Sequence, residues 1–278
     1  MIEYAPVDDV ALGALAQRLV EIPGVVAVVL GGSRARGTHR PDSDFDLGLY
    51  YRGDLDVTAL RALAVQEAGE RAEMTAPGGW GPWVNGGGWL TINGRRVDWI
   101  YRDLDRVQGI WADCHKGRYE VGVQAGHPLG FYSHSYAGEV ALSRVLADPS
   151  GELTDLREST RAYPRALSAA LVDGLWEADF SVGLARYGAV GADPAYAAGC
   201  LFRAVGVACQ ALHGHAGQWL INEKGMVASA GRLPTAPQDF TARAQRLFSH
   251  VGESPQQIER TVTDAAALVR EVQTAVGR

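Results

Sequence analysis

Val25-Val26-Ala27-Val28-Val29-Leu30-Gly31-Gly32-Ser33, followed eleven residues after the serine by Asp44-Phe45-Asp46-Leu47-Gly48-Leu49-Tyr50-Tyr51, is the stretch that decides the fold. The first run is short, continuous and β-branched, the pattern of a strand buried on both faces. It runs out on two glycines and a serine, and a second strand follows over 45–51. Side chains alternate across a strand, so Asp44 and Asp46 share one face about 6.6 Å apart while Phe45 turns into the core. Two carboxylates so placed repel each other unless a cation lies between them. A hard divalent ion such as Mg²⁺ takes such oxygens together with phosphate oxygens. The glycines let backbone N–H groups approach an anion closely, and Ser33, at the start of a short helix, adds a hydroxyl donor, which suits a triphosphate. Arg34, Arg36 and Arg40 are placed to add charge-assisted contacts to the same phosphates. The competing reading of Asp44 and Asp46 is a solvated turn before a strand, where Asp and Ser are common.

Outward from this stretch, residues 8–21 carry Val10, Leu12, Leu15, Leu19 and Val20 at helical spacing, with Pro23-Gly24 as a stop. Residues 58–73 read as a second helix. Trp89–Asn93 and Arg95–Tyr101 read as two strands about a Gly94 turn. The latter strand places Asp98 among apolar residues, where an acid is usually paired or functional. Arg95, Arg96 and Arg102 are the possible partners. If instead this strand lies beside the one carrying Asp44 and Asp46, three carboxylates converge, enough for two-metal catalysis of an in-line displacement on phosphorus. Between helix and strands runs Glu73 to Trp89, with Trp80, Trp83 and Trp89 among six glycines. It is too apolar for a plain surface linker and too glycine-rich for a core element. Such a loop is either a stacking wall for a base or acceptor ring, or a folded plug between domains.

The character of the chain shifts after residue 103. Ala/Leu/Val-rich segments at 136–147, 153–189 with a bend at Pro164, 194–213, 217–229, 237–250 and 254–276 read as a helical bundle, preceded by a strand and crossover within 118–132. The expected layout is an α/β domain over 1–105, a mixed sheet with flanking helices, and a mainly helical C-terminal domain over 106–278 that contributes to the acceptor site.

Composition bounds the partners. The 278 residues carry a formal charge of −6, with no basic stripe that would coat a nucleic-acid backbone, so a small nucleotide held in one local pocket is expected instead. No run approaches the ~18 apolar residues of a membrane span, and the start of the chain lacks a secretory pattern, so a cytoplasmic location is expected. Cys114, Cys200 and Cys209 show neither disulfide nor zinc spacing. The seven histidines are assigned no metal. Of the 26 basic residues only Lys116 and Lys224 are lysines, which singles out Lys224 as a compact ammonium for the β/γ-phosphates, or as a solvated helix residue beside Glu223.

The segment Gly31 to Tyr51 resembles the core motif of the polymerase-β-like nucleotidyltransferase superfamily: a strand, a Gly-Gly or Gly-Ser pair, about ten residues, Asp-x-Asp, and a third Asp on a later strand. The resemblance implies that Gly32 and Ser33 bind the triphosphate of an NTP, that Asp44, Asp46 and Asp98 form a two-metal Mg²⁺ site, and that a nucleoside monophosphate passes to an acceptor hydroxyl. The layout is similar, more loosely, to nucleotidyltransferases that modify aminoglycosides and lincosamides, through Asn222-Glu223-Lys224-Gly225 in a helical segment. That implies a small-molecule acceptor such as an antibiotic. A toxin-like transferase acting on tRNA or protein, and a nucleotide-binding module without catalysis, are the competing readings. Asp98 is the economical general base for the acceptor, with Glu120, Glu139 and Glu177 as alternatives.

Overall fold

The computed structural model describes residues 9–278. Residue 8, expected to open the first helix, and the start of the chain where a secretory pattern was sought lie outside the described residues. Two compact units emerge: residues up to Ala112 with Glu120–Gly126 and Phe131–Ala162, and Asp113–Tyr119 with His127–Gly130 and Tyr163–Arg278.

The first unit is built on a mixed sheet. Its strands are β1 (Val25–Leu30), β2 (Phe45–Tyr51), β3 (Gly87–Ile92), β4 (Arg95–Asp103) and, after the short hairpin of β5 (Val121–Gly122) and β6 (Phe131–Tyr132), β7 (Arg144–Ala147). The order is β3-β4-β2-β1-β7. β2 and β4 run parallel and the other pairs antiparallel. The continuous apolar run of β1 has the predicted cause: Val28 and Leu30 enter one core while Ala27 and Val29 enter the other. On the first face, α1 (Asp9–Val20) and α3 (Val57–Ala68) pack Leu12, Leu15, Leu19, Leu60 and Leu63 against Phe45, Leu47, Leu49, Val97, Trp99 and Tyr101. α3 starts where Asp56 accepts a hydrogen bond from the Ala59 N–H at 2.9 Å. One-turn α2 (Gly32–Ala35) joins β1 to the loop before β2.

The second face is covered over only part of its length. α4 (Leu104–Cys114), α5 (Ser135–Leu142) and α6 (Glu152–Ser159) bring Leu104, Val107, Tyr136, Val140, Leu153 and Leu156 onto Ala27, Val29 and Tyr50. β7 and these helices group with the sheet in the first compact unit. The expected helix 136–147 ends at Leu142, because β1 offers a free edge to which Arg144–Ala147 pairs.

The second unit is helical: α7 (Arg165–Asp173), α8 (Trp176–Val190), α9 (Pro194–His215), α10 (Met226–Ala230), α11 (Phe240–Ser249) and α12 (Pro255–Ala275). The span 153–189, expected as one bent helix, is three helices, broken at Pro164 and again at Gly174-Leu175. α9 is capped by Asp193, which accepts from the Tyr196 N–H at 3.0 Å, and α12 by a reciprocal box between Ser254 and Gln257. By length and apolarity α9 would pass for a membrane-spanning helix, yet α7, α8 and α12 pack around it as the core of this unit. His213, on α9, is buried with Nδ1 against the Cys209 carbonyl and Nε2 against the Ser229 hydroxyl. The helix expected over 217–229 is present only as α10, and residues 216–225 are non-helical, with turns at 216–217 and 224–225.

Candidate active site

The site forms on the second face of the sheet, beyond the part that α4, α5 and α6 pack on, at the end where the chain leaves β1 and enters β2. Asp46 and Asp98 are direct register partners on parallel β2 and β4, so their carboxyl groups lie side by side on one face. The condition on which the third carboxylate depended is met. Asp44 immediately precedes β2, and Phe45 between the two acids is buried in the opposite core.

Gly31 and Gly32 both lie against Asp46, the first against its main chain and the second against its carboxylate. The Gly31 N–H donates to the Asp46 carbonyl at 2.7 Å, and Gly32 adopts φ +61°, a left-handed conformation that glycine takes without a steric penalty. A β-carbon at Gly32 would overlap Asp46 Oδ2, so the glycine is required both for its conformation and for the space it leaves. Ser33 follows in α2, its carbonyl accepting from the Thr38 N–H at 3.0 Å.

The arginines divide. Arg34 donates from Nε to the Ser43 and Asp44 carbonyls at 3.0 and 3.1 Å and from Nη2 to Ser43 at 2.7 Å, while its guanidinium lies 3.8 Å over the Phe45 ring. Expected at phosphate, it clamps the loop that delivers Asp44. Arg36 is exposed and ties Nε to the Gly32 carbonyl at 3.1 Å. Arg40 is exposed and pairs with Asp42. None of the three arginines flanking Asp98 forms an ion pair with it. Arg95 bonds the Pro41 carbonyl, Arg96 faces Asp44 with Nη2 at 2.5 Å from Oδ1, and Arg102 binds Glu139.

The electrostatics follow from this arrangement. Partial burial first, and then the charges of Asp46 and Asp44, push the Asp98 carboxyl up to about 6, with Arg96 acting in the other direction. Asp44 Oδ1 is buried and, despite the nearby Arg96, accepts no hydrogen bond. Among the described residues no three acidic, histidine or cysteine side chains already converge on one point. The donor chemistry nevertheless fits a hard divalent cation: crowded carboxylate oxygens, one of them buried without a hydrogen bond, whose mutual repulsion such an ion relieves.

Two of the alternative bases are committed elsewhere. Glu139 holds Arg102 within the first unit, and Glu177 holds Arg203 within the second. Lys224 is an exposed residue of the second unit, in the turn before α10 and not in a helix. Its N–H donates to Asn222 Oδ1 at 2.6 Å.

The Trp/Gly loop is a fixed part of the first unit. Gln124 Oε1 accepts from the Trp83 and Val84 N–H groups, each at 3.0 Å, and its Nε2 donates to the Trp80 carbonyl at 2.8 Å. Trp83 is buried beneath Arg106 with Phe131 and Tyr136, whereas Trp80 stacks on Trp89. No sequence pattern announced Gln124 as the residue that orders this loop.

Residues 12–74 match a family model described as a nucleotidyltransferase domain. The interval takes in Gly32, Ser33, Asp44 and Asp46 and stops short of Asp98. No curated protein matches the chain in sequence. A solved structure of a nucleotidyltransferase-like protein from Exiguobacterium sibiricum 255-15 is similar over 97% of this chain and 77% of its own, with 11% identity and a TM-score of 0.47.

Proposed function

We propose that this nucleotidyltransferase moves a nucleoside monophosphate from an NTP to a hydroxyl of a small-molecule acceptor, releasing pyrophosphate, with Mg²⁺ held by Asp44, Asp46 and Asp98. The observation that carries the reading is the register pairing of Asp46 with Asp98 beside the Gly31-Gly32-Ser33 turn. The bound metal would supply charge neutralisation and activation at the phosphoryl group. The protein's own share is positional and acid–base. The backbone N–H groups and hydroxyl of Gly32 and Ser33 hold the triphosphate, and Arg36, whose Nη groups are not used on the Gly32 carbonyl, reaches it from the exposed side. Asp98, the register neighbour of Asp46, accepts the proton of the acceptor hydroxyl. Arg34 holds the Asp44 loop in place.

A formal charge of −6 favours a neutral or cationic acceptor, an antibiotic among the candidates, over tRNA. We place the reaction in the cytoplasm. The test is Asp46→Asn, assayed for pyrophosphate release from each of the four NTPs over an acceptor panel. Turnover should fall to background while the melting temperature stays near that of the wild type. Retained turnover would overturn the assignment.

A further inference from the structure

We infer that Trp89, backed by Trp80, is the platform on which a ring of the acceptor lies while its hydroxyl meets Asp98. This rests on the proposed nucleotidyl transfer and adds what the acceptor must look like. Trp89 on β3 is the direct register partner of Asp98 on β4, as Asp98 is of Asp46 on β2, so the three side chains form one row across one face of the sheet. Gly31 and Gly32 adjoin Asp46 from the far side. The order across the face is therefore phosphate-binding turn, Asp46, Asp98, Trp89.

An in-line displacement sets the leaving pyrophosphate and the attacking hydroxyl on opposite sides of phosphorus. With the triphosphate at Gly32-Ser33, the attacking group enters from the Trp89 side. Strands lie about 4.8 Å apart, which puts the indole roughly 10 Å from Asp46, about one ring beyond the reacting hydroxyl.

Trp89 is also built as a platform. Its ring is stacked on Trp80 at 4.5 Å between centroids and 12° between planes, yet Trp89 remains 73% exposed, so the face turned away from Trp80 is open. Trp80 is held in turn by the Gln124 bond to its carbonyl. A rigid, open indole face favours a ring with a flat carbon face, and the adjoining Asp98 and Asp46 favour one that is neutral or cationic. The nucleoside leaves the α-phosphorus at an equatorial position, so a nucleobase is the competing occupant, and the adenosine arm of the test distinguishes it.

The test uses the full chain. Saturation-transfer NMR is run with millimolar phenyl β-glucoside, methyl β-glucoside and adenosine as probes, and Mg²⁺-NTP affinity is measured by calorimetry, for wild type, Trp89→Ala and Trp89→Phe. Expected are saturated ring protons on at least one glucoside in wild type, loss of that signal in Trp89→Ala, partial recovery in Trp89→Phe, and Mg²⁺-NTP Kd values within twofold throughout. The two glucosides separate an aromatic from a saturated ring as the better occupant. A fivefold or greater loss of NTP affinity in Trp89→Ala, with adenine protons saturated in wild type and that signal lost in Trp89→Ala, would make the nucleobase the occupant and overturn the inference. Failure of every ring probe to saturate in wild type, or saturation unchanged by Trp89→Ala, overturns it too. Either result leaves the Asp46→Asn test standing, whereas wild-type protein that binds no Mg²⁺-NTP would tell against the transfer reaction itself.

Discussion

Gly32 and Asp46 approach so closely that a β-carbon on the glycine would overlap the carboxylate Oδ2, while Gly31, one residue earlier, would meet only ordinary van der Waals contacts. The Gly31-Gly32 turn and the Asp46 carboxylate are thus one packed unit. Gly32→Ala should lose turnover, because it displaces Asp46 and strains a backbone at φ +61°, and it should cost about 1–3 kcal/mol of stability. Gly31→Ala should stay within about 0.5 kcal/mol of wild type. Pyrophosphate release and thermal melts on the pair check this. Equal behaviour of the two variants would show that the close approach has no consequence.

Asp98 makes the metal-free protein sensitive to pH in a direction opposite to that of a salt-bridged acid. Its folded carboxyl titrates near 6 against an ordinary 3.8, so the folded state binds the proton more tightly than the unfolded chain. The ionised form therefore destabilises the fold, fully above about pH 6 and not at all below about 3.8. In EDTA, Asp98→Asn should raise the melting temperature at pH 7.5 by about 2–4 °C. That corresponds to roughly 1 kcal/mol after discounting for the group's partial exposure. The gain should shrink toward zero as pH falls to 4. A gain that is flat with pH would remove the electrostatic cause.

How much of this was legible in the chain depends on range. The strands β1 and β2 and the Asp44-Phe45-Asp46 alternation could be read because each is a local pattern with one buried solution. Asp98 was visible as an acid among apolar residues, but its neighbour Asp46 is set by a parallel pairing more than fifty residues away, which no local period encodes. β7 was hidden for the same reason: four residues become a strand because β1 has an open edge. The segment 217–229 misled the periodicity reading, since Gly217 and Gly225 both take left-handed conformations and only Met226–Ala230 is helical. Arg34 was visible as a charge near a phosphate site and Arg96 as a possible partner of Asp98, yet whether an arginine serves a ligand, a neighbouring carboxylate or a loop carbonyl is decided by side-chain reach in three dimensions.

Arg34 is accordingly expected to act through Asp44. Its clamp on the Pro41, Ser43 and Asp44 carbonyls and its stacking on Phe45 demand a planar fork, which lysine lacks. Arg34→Ala and Arg34→Lys should both raise the Mg²⁺ concentration needed for half-maximal pyrophosphate release, by about tenfold or more, with little change in the NTP requirement at saturating metal. If instead the KM for NTP rises and the Mg²⁺ requirement does not, Arg34 is a phosphate ligand after all.

Further along the same face, Arg102 and Glu139 form a two-bond ion pair at 2.6 and 2.8 Å, with Arg102 only 6% exposed. Arg102 is register partner to Tyr50, and it also donates to the Tyr101 carbonyl, so the pair fastens α5 to the sheet beside the open part of the face. Removing one partner strands the other charge away from water, which costs far more than the pair itself contributes. Glu139→Gln should destabilise the first unit by about 3–5 kcal/mol, and the double variant Arg102→Met, Glu139→Leu should recover most of that loss. Urea unfolding followed by tryptophan fluorescence is the appropriate measurement, because Trp80, Trp83, Trp89, Trp99 and Trp111 all lie in the first unit and dominate the signal. A double variant no more stable than Glu139→Gln would mean that α5 depends on the directed bonds, and that filling the space with apolar side chains is no substitute.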